Sequence, residues 1–193
     1  MKKKNCFIYT DLFLDDLCAV EYLSLHYENA VYFVTLENEI KGSAYASCIV
    51  QSAADFEKTA KGFFSGTVTD FCSTGTVAPD ADVFLLAPLT DFVKIIKQCP
   101  SVIGNKALMM GGIRPGPDGA ENEWNASADV SAYRYTLEHM KNLRQVTRNE
   151  CLRLYAENGY PFNCSFLPEY IKKMNAIGEN VTCFDLQAVS VIF

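Results

Sequence analysis

Residues 6–25 read CFIYTDLFLDDLCAVEYLSL. The run Cys6–Tyr9 is apolar and β-prone, and it is short enough for a strand buried on both faces. From Asp15 to Leu25 the apolar residues Leu17, Val20 and Leu23 recur at helical spacing, with acidic residues in the first turn. The stretch therefore predicts a buried strand, a tight turn carrying Asp11, and a helix that starts at Asp15-Asp16.

The same alternation continues along the chain. Ala30–Leu36 reads as a second strand, and Ser43 is placed to cap a helix that runs to about Gly62. Thr67–Phe71 fits either a short strand or an ordered loop. Val83–Ala87 is another buried strand, followed by Pro88-Leu89-Thr90 and a helix to about Cys99. Ala107–Met110 runs into Gly111-Gly112, a pair suited to a tight turn with positive φ. After a polar loop from Arg114 to Asn122 come a helix from Asp129 to Met140, a strand at Leu143–Val146, and helices near Asn149 and Pro168–Met174. Strands alternating with helices predict an α/β fold: a mostly parallel, Rossmann-like open sheet flanked by helices, with residues 1–193 in one domain. Ligands of such sheets bind beyond the carboxyl ends of the strands. Asp11, Asn38, Thr90 and the Glu123–Asn125 segment all fall at such ends.

Composition narrows the function classes. The chain has 193 residues, 49% of them hydrophobic, and a formal charge of −6. That charge argues against sequence-independent nucleic-acid binding, which needs a basic face. The 8 cysteines form no CxxC pair and mostly sit in apolar stretches, as free buried thiols in a reducing compartment do. The basic head MKKK leads into apolar residues, but Asp11, Asp15 and Asp16 interrupt the run, so it does not read as a signal peptide. No stretch approaches a membrane span. The expectation is a cytoplasmic protein.

Asp11, Asp15 and Asp16 form DxxxDD across the strand-to-helix turn. Acids at a helix start are stabilised by free N–H groups and the helix dipole, which accounts readily for one or two of them. Three are harder to place, because two carboxylates ~5 Å apart repel by roughly 3 kcal/mol at an effective dielectric near 20. A cation would remove that cost, and an all-oxygen ligand set points to Ca²⁺ or Mg²⁺. On spacing alone, capping and cation binding stand level.

Four segments add a resemblance. IYTDLFLDDLCAVEYL resembles the DxDxGxDD opening of the inosine–uridine-preferring nucleoside hydrolase family. LAPLTDFVKII is similar to its GPLTN segment, MMGGIRPGPDGAENEWNASADVSA to its MGG…EFN…DPEAA block, and CFDLQAVSV to its terminal HDPLAV. The four occur in family order. The resemblance implies that Asp11, Asp16, the main-chain carbonyl of Thr90 and the carboxylate of Asp185 bind Ca²⁺. It implies that Asp11 is also general base toward the water attacking the anomeric carbon. Asp15 and Asn125 would hold the ribose hydroxyls, Glu123 the 5′ end, and Asn38 would be the family's second-strand asparagine. Trp124 or Phe184 could stack the base. The implied ligand is a nucleoside or another ribosyl small molecule, and the implied assembly a homo-dimer or homo-tetramer.

Each assignment has a plainer rival: Thr90 and Asp185 as helix caps, Glu123 and Asn125 as solvated loop residues. The sequence also departs from the family pattern. Tyr9 stands where the opening has an earlier aspartate, Phe13 where it has glycine, and Phe184 where a histidine helps protonate the departing base. His26 and His139, the two histidines, lie elsewhere in the sequence. The chain is shorter than the family pattern, which predicts a base site that is open or completed by a second subunit. Two principal readings follow: a Ca²⁺-dependent hydrolase of N-ribosyl bonds, or a non-catalytic metal- and ribose-binding relative that has lost the leaving-group acid. A hydrolase of another ester or glycoside on the same ion is a third.

Overall fold

The computed structural model describes residues 2–35 and 52–191. The apolar run at residues 6–9 lies in β1 (Lys3–Thr10), at the middle of a six-stranded sheet. There follow α1 (Leu14–Ser24), β2 (Tyr27–Val34), α2 (Ala53–Phe63), β3 (Val68–Asp70), α3 (Phe71–Thr74), β4 (Asp82–Leu85) and α4 (Thr90–Gln98). The remaining elements are β5 (Lys106–Met110), α5 (Trp124–Ser127), α6 (Val130–His139), β6 (Asn142–Val146), α7 (Arg148–Asn158), α8 (Leu167–Ala176) and α9 (Phe184–Ser190). The sheet order is β3-β2-β1-β4-β5-β6 and every pairing is parallel. The α/β fold read from the sequence is the fold observed.

A parallel sheet needs cover on both faces, and period-two alternation supplies it. On β1, Cys6 and Ile8 face a core shared with α1, α2 and α9, while Phe7 and Tyr9 face a second core shared with α4 and α6. A third apolar cluster joins Leu14 and Cys18 of α1 to Leu167, Tyr170 and Met174 of α8 and Leu186 of α9. Helix α1 is thus covered both by the sheet and by α8 and α9, which is why it is buried nearly all round.

Several boundaries differ from the expectations. β2 begins at Tyr27 rather than Ala30, because Tyr27 is buried and its hydroxyl donates to Asp82 at 2.6 Å. The expected strand end at Leu36, the cap Ser43 and the candidate Asn38 lie outside the described residues. Among the described residues Ser52 caps α2, its hydroxyl accepting from the Asp55 N–H. Residues 68–70 form a strand and run directly into α3. Gly112 has the positive φ expected of the glycine pair, at 79°, and a Cβ there would meet the Tyr133 hydroxyl at 2.5 Å. Among the described residues no helix is long and apolar enough to cross a membrane.

After β1 the chain fills one half of the sheet with β2 and β3, then crosses to β4 on the other side. The carboxyl ends of β1 and β4 therefore diverge at the point where an open α/β sheet forms its ligand crevice.

Candidate metal centre

The turn after β1 is built around Asp16. Its Oδ1 accepts the Thr10 hydroxyl at 2.7 Å and its Oδ2 accepts the Phe13 N–H at 2.9 Å, so it caps the start of α1. Thr10 Oγ1 accepts in turn from the Leu12 N–H at 3.2 Å. These bonds hold Leu12 at φ 70°, a left-handed conformation that costs a side-chain-bearing residue roughly 1–2 kcal/mol. Phe13, standing where glycine was the expected type, has an ordinary φ of −76°. The strained position is thus one residue earlier than the motif suggests. Tyr9 is a packing residue: it stacks on Phe33, and its hydroxyl donates to the Pro88 carbonyl at 2.7 Å.

Helix α9 comes from the far end of the chain and packs on α1. Asp185 is its second residue, and the N-cap position is Cys183, so Asp185 is not the helix cap. One carboxylate oxygen from each of Asp15, Asp16 and Asp185 lies within 4.8 Å of the others. Asp11 adjoins them, close enough for its charge to raise the Asp16 carboxyl. Acids from both ends of the sequence therefore meet at one place.

Water cannot screen this cluster well. Asp11, Asp16 and Asp185 are buried, and Asp15 is half-buried. Burial pushes the Asp16 carboxyl well above the usual range, and the charges of Asp11 and Asp15 push it further. Asp185 is raised by burial and then by Asp15, Asp16, Asp11 and Glu123. Burial raises Asp15 to about 6, against the opposing pull of the N–H groups of Asp15, Asp16 and Asp185. Only oxygen donors converge here, so the donor set fits a hard divalent cation such as Ca²⁺ or Mg²⁺.

The carboxylates open onto a cavity of about 600 Å³. Asp11, Asp15 and Asp185 form its acidic end, Asn122 to Asn125 a second wall, and Tyr170, Met174 and Phe184 an apolar third. Glu123 is buried rather than solvated. Its Oε2 accepts from the N–H groups of Gly112 at 2.7 Å and Ala126 at 2.9 Å, and its Oε1 from Asn125 N–H at 3.0 Å. It thereby caps α5 and ties that helix to the glycine turn. Asn125, also buried, donates its amide NH₂ to the carbonyls of Leu86 and Met110 at 3.3 and 3.2 Å. Its side-chain oxygen has no partner among the described residues and is left to accept from a ligand. Between these two buried residues, Trp124 is 47% exposed and lines the cavity.

Thr90 is the first residue of α4, not its cap; its hydroxyl donates to Asp129 Oδ2 at 2.8 Å, and it is absent from the cavity lining. Neither histidine lines the cavity: His139 stacks on Tyr135, and His26 packs near Tyr22. Phe184 does line it, and the Arg148 guanidinium sits over its ring at 5.8 Å from the centroid. Arg148, Tyr170 and Met174 were not singled out from the sequence. The spacing of Leu167, Tyr170 and Met174 marks one apolar helix face, but that periodicity does not say which partner the face meets.

No family model matches the chain, and no curated protein matches it. Among solved structures it is similar to an inosine-uridine preferring nucleoside hydrolase from Bacillus anthracis, at 15% identity and a TM-score of 0.49. The match covers 100% of this chain and 77% of that one. At this level of likeness the chemistry of the site has to be read from its own side chains.

Proposed function

We propose that this protein is a Ca²⁺-dependent hydrolase of the N-glycosidic bond of a ribosyl compound, of the nucleoside hydrolase kind. The observation that carries the reading is the meeting of Asp15 and Asp16 with Asp185 in one buried cluster, beside Asp11. Like charges are not gathered and buried without compensation. Asp11, Asp16 and Asp185, with the Thr90 carbonyl, are the residues proposed to hold the ion. Bound there, the cation would offset the crowded charge and lower the pKa of a water in contact with it.

The chain's own residues supply the rest. Asp11 takes the proton from the attacking water as general base. Asp15 and the unpartnered oxygen of Asn125 accept from ribose hydroxyls, while Glu123 keeps about one acceptor position for the 5′ end after its three N–H bonds. The acidic end also stabilises the positive charge that grows on the sugar as the bond breaks. Trp124 and Phe184 offer aromatic faces to the base.

A second reading is favoured by one observation: no histidine lines the cavity. Without an acid for the departing base, the protein could bind ribosides without cleaving them. Incubation with purine, pyrimidine and nicotinamide ribosides separates the two. Ca²⁺-dependent ribose release that disappears in Asp11→Ala is expected for the hydrolase. Riboside binding with no release would favour the binding protein, and neither binding nor release would remove both.

A further inference from the structure

Arg148 lines the cavity, and the reading above leaves it without a task. It is the first residue of α7, reached directly from β6, and its backbone N–H is fixed to the Gly112 carbonyl at 2.8 Å. Its guanidinium lies over the ring of Phe184 at 5.8 Å from the centroid, and both residues line the cavity. Among the described residues the guanidinium makes no ion pair and donates no hydrogen bond; its described side-chain contact is that ring, with a longer-range attraction to Glu123.

A guanidinium carries five N–H donors in a planar fork that matches carboxylate and phosphate oxygens. A cation held over Phe184 with none of its donors engaged among the described residues can offer two parallel charge-assisted bonds to an anion. Glu123, whose carboxyl Arg148 draws down from a distance, is already engaged by three backbone N–H groups. The acidic end of the same cavity is the part assigned to a cation and a diol. The cavity therefore combines several oxygen acceptors with one cationic side chain, Arg148.

We propose that Arg148 is an anion-recognition subsite, so that the preferred ligand is a ribosyl compound bearing a phosphate or carboxylate group. The inference rests on the ribosyl reading of the aspartate end and adds the charge of the substrate to it. The phosphate would sit on the sugar and the carboxylate on the base, and matched ligand pairs tell these sources apart.

Trp124, the single tryptophan of the chain, lines this cavity and reports its occupancy by fluorescence. Binding in the presence of Ca²⁺ is to be measured by rapid mixing for uridine against uridine 5′-monophosphate, and for nicotinamide riboside against nicotinic acid riboside. One anionic member is expected to bind at least ~10-fold more tightly than its neutral partner, the scale of a charge-assisted pair. Arg148→Met, which keeps bulk over Phe184, is expected to bring that ratio to about one, and Arg148→Lys to an intermediate value, since it keeps charge but loses the fork. Quenching of Trp124 by the neutral member in each variant shows that its cavity is intact. If both pairs show no anionic preference, or if Arg148→Met leaves the preference unchanged, the subsite is disproved and the ribosyl reading survives. If no riboside quenches Trp124, the ribosyl reading fails and this inference falls with it.

Discussion

Two buried acidic sites lie in one cavity, and they solve the same electrostatic problem differently. Glu123 faces three backbone N–H groups, so dipoles that the fold itself supplies oppose the burial that raises its carboxyl. Asp16 has one backbone N–H, from Phe13, and the Thr10 hydroxyl, but it also faces Asp11, Asp15 and Asp185, none of which helps to hold a negative charge. The fold itself engages three acceptor positions of Glu123, whereas the aspartates crowd one another. The contrast distinguishes a carboxylate held by backbone donors from carboxylates crowded by one another, although Glu123, Asp11, Asp16 and Asp185 are all buried.

The largest effect that could break this contrast lies in cation affinity. Asp16→Asn removes one charge from the cluster and should weaken Ca²⁺ binding by on the order of 100-fold, about 2.7 kcal/mol, as read by calorimetry. An unchanged affinity would place the ion elsewhere. The pH dependence should come next. Because Asp15 is raised from an ordinary 3.8 to about 6, the folded state holds its proton longer than the unfolded chain does. Its contribution to stability is fully present below about 4 and is lost as pH rises through 6, so the melting temperature of cation-free protein should fall across that window. Saturating Ca²⁺, which binds the ionised form, should raise the melting temperature at pH 7.5 and have little effect at pH 4.

Glu123→Gln sharpens the comparison from the other side. An amide cannot accept all three N–H bonds, so the variant should lose about 1–3 kcal/mol of stability by denaturant unfolding while keeping its affinity for Ca²⁺ within ~3-fold. The smallest change is expected from Tyr9→Phe. Losing one buried hydroxyl bond to Pro88 should cost about 1 kcal/mol with no effect on Ca²⁺ binding. A large loss of ion affinity in that variant would contradict its assignment to packing.

Much of the architecture could be read from the chain because buried parallel strands leave apolar runs that little else produces. Cys6–Tyr9, Val83–Ala87 and Ala107–Met110 all lie in or overlap central strands. Tyr27 was missed because the polar pair Glu28-Asn29 interrupts the apolar pattern, and what holds it in the sheet is pairing with β1 rather than local preference. The candidate site divides in the same way. Asp11, Asp15 and Asp16 are neighbours in sequence, so their clustering is a local fact. Asp185 reaches them through the docking of one helix on another, which spacing cannot encode and only the resemblance suggested. Arg148 gave no signal, because a single arginine at a helix start has no pattern to betray it.

The docking of α9 on α1 also bears on how the molecule is made. Cys183 and Asp15 are 168 residues apart in sequence, yet the Cys183 Sγ lies 4.0 Å from the Asp15 carbonyl oxygen. Contacts that span so much chain are entropically expensive to form and belong to slow steps of folding. A nascent polypeptide would carry the paired acids of α1 from the outset and lack Asp185 until the final helix had been synthesised. On the proposed function, ion capture would follow that docking, and cation-dependent protection of α1 amides from hydrogen exchange should arise only after α9 has closed over it.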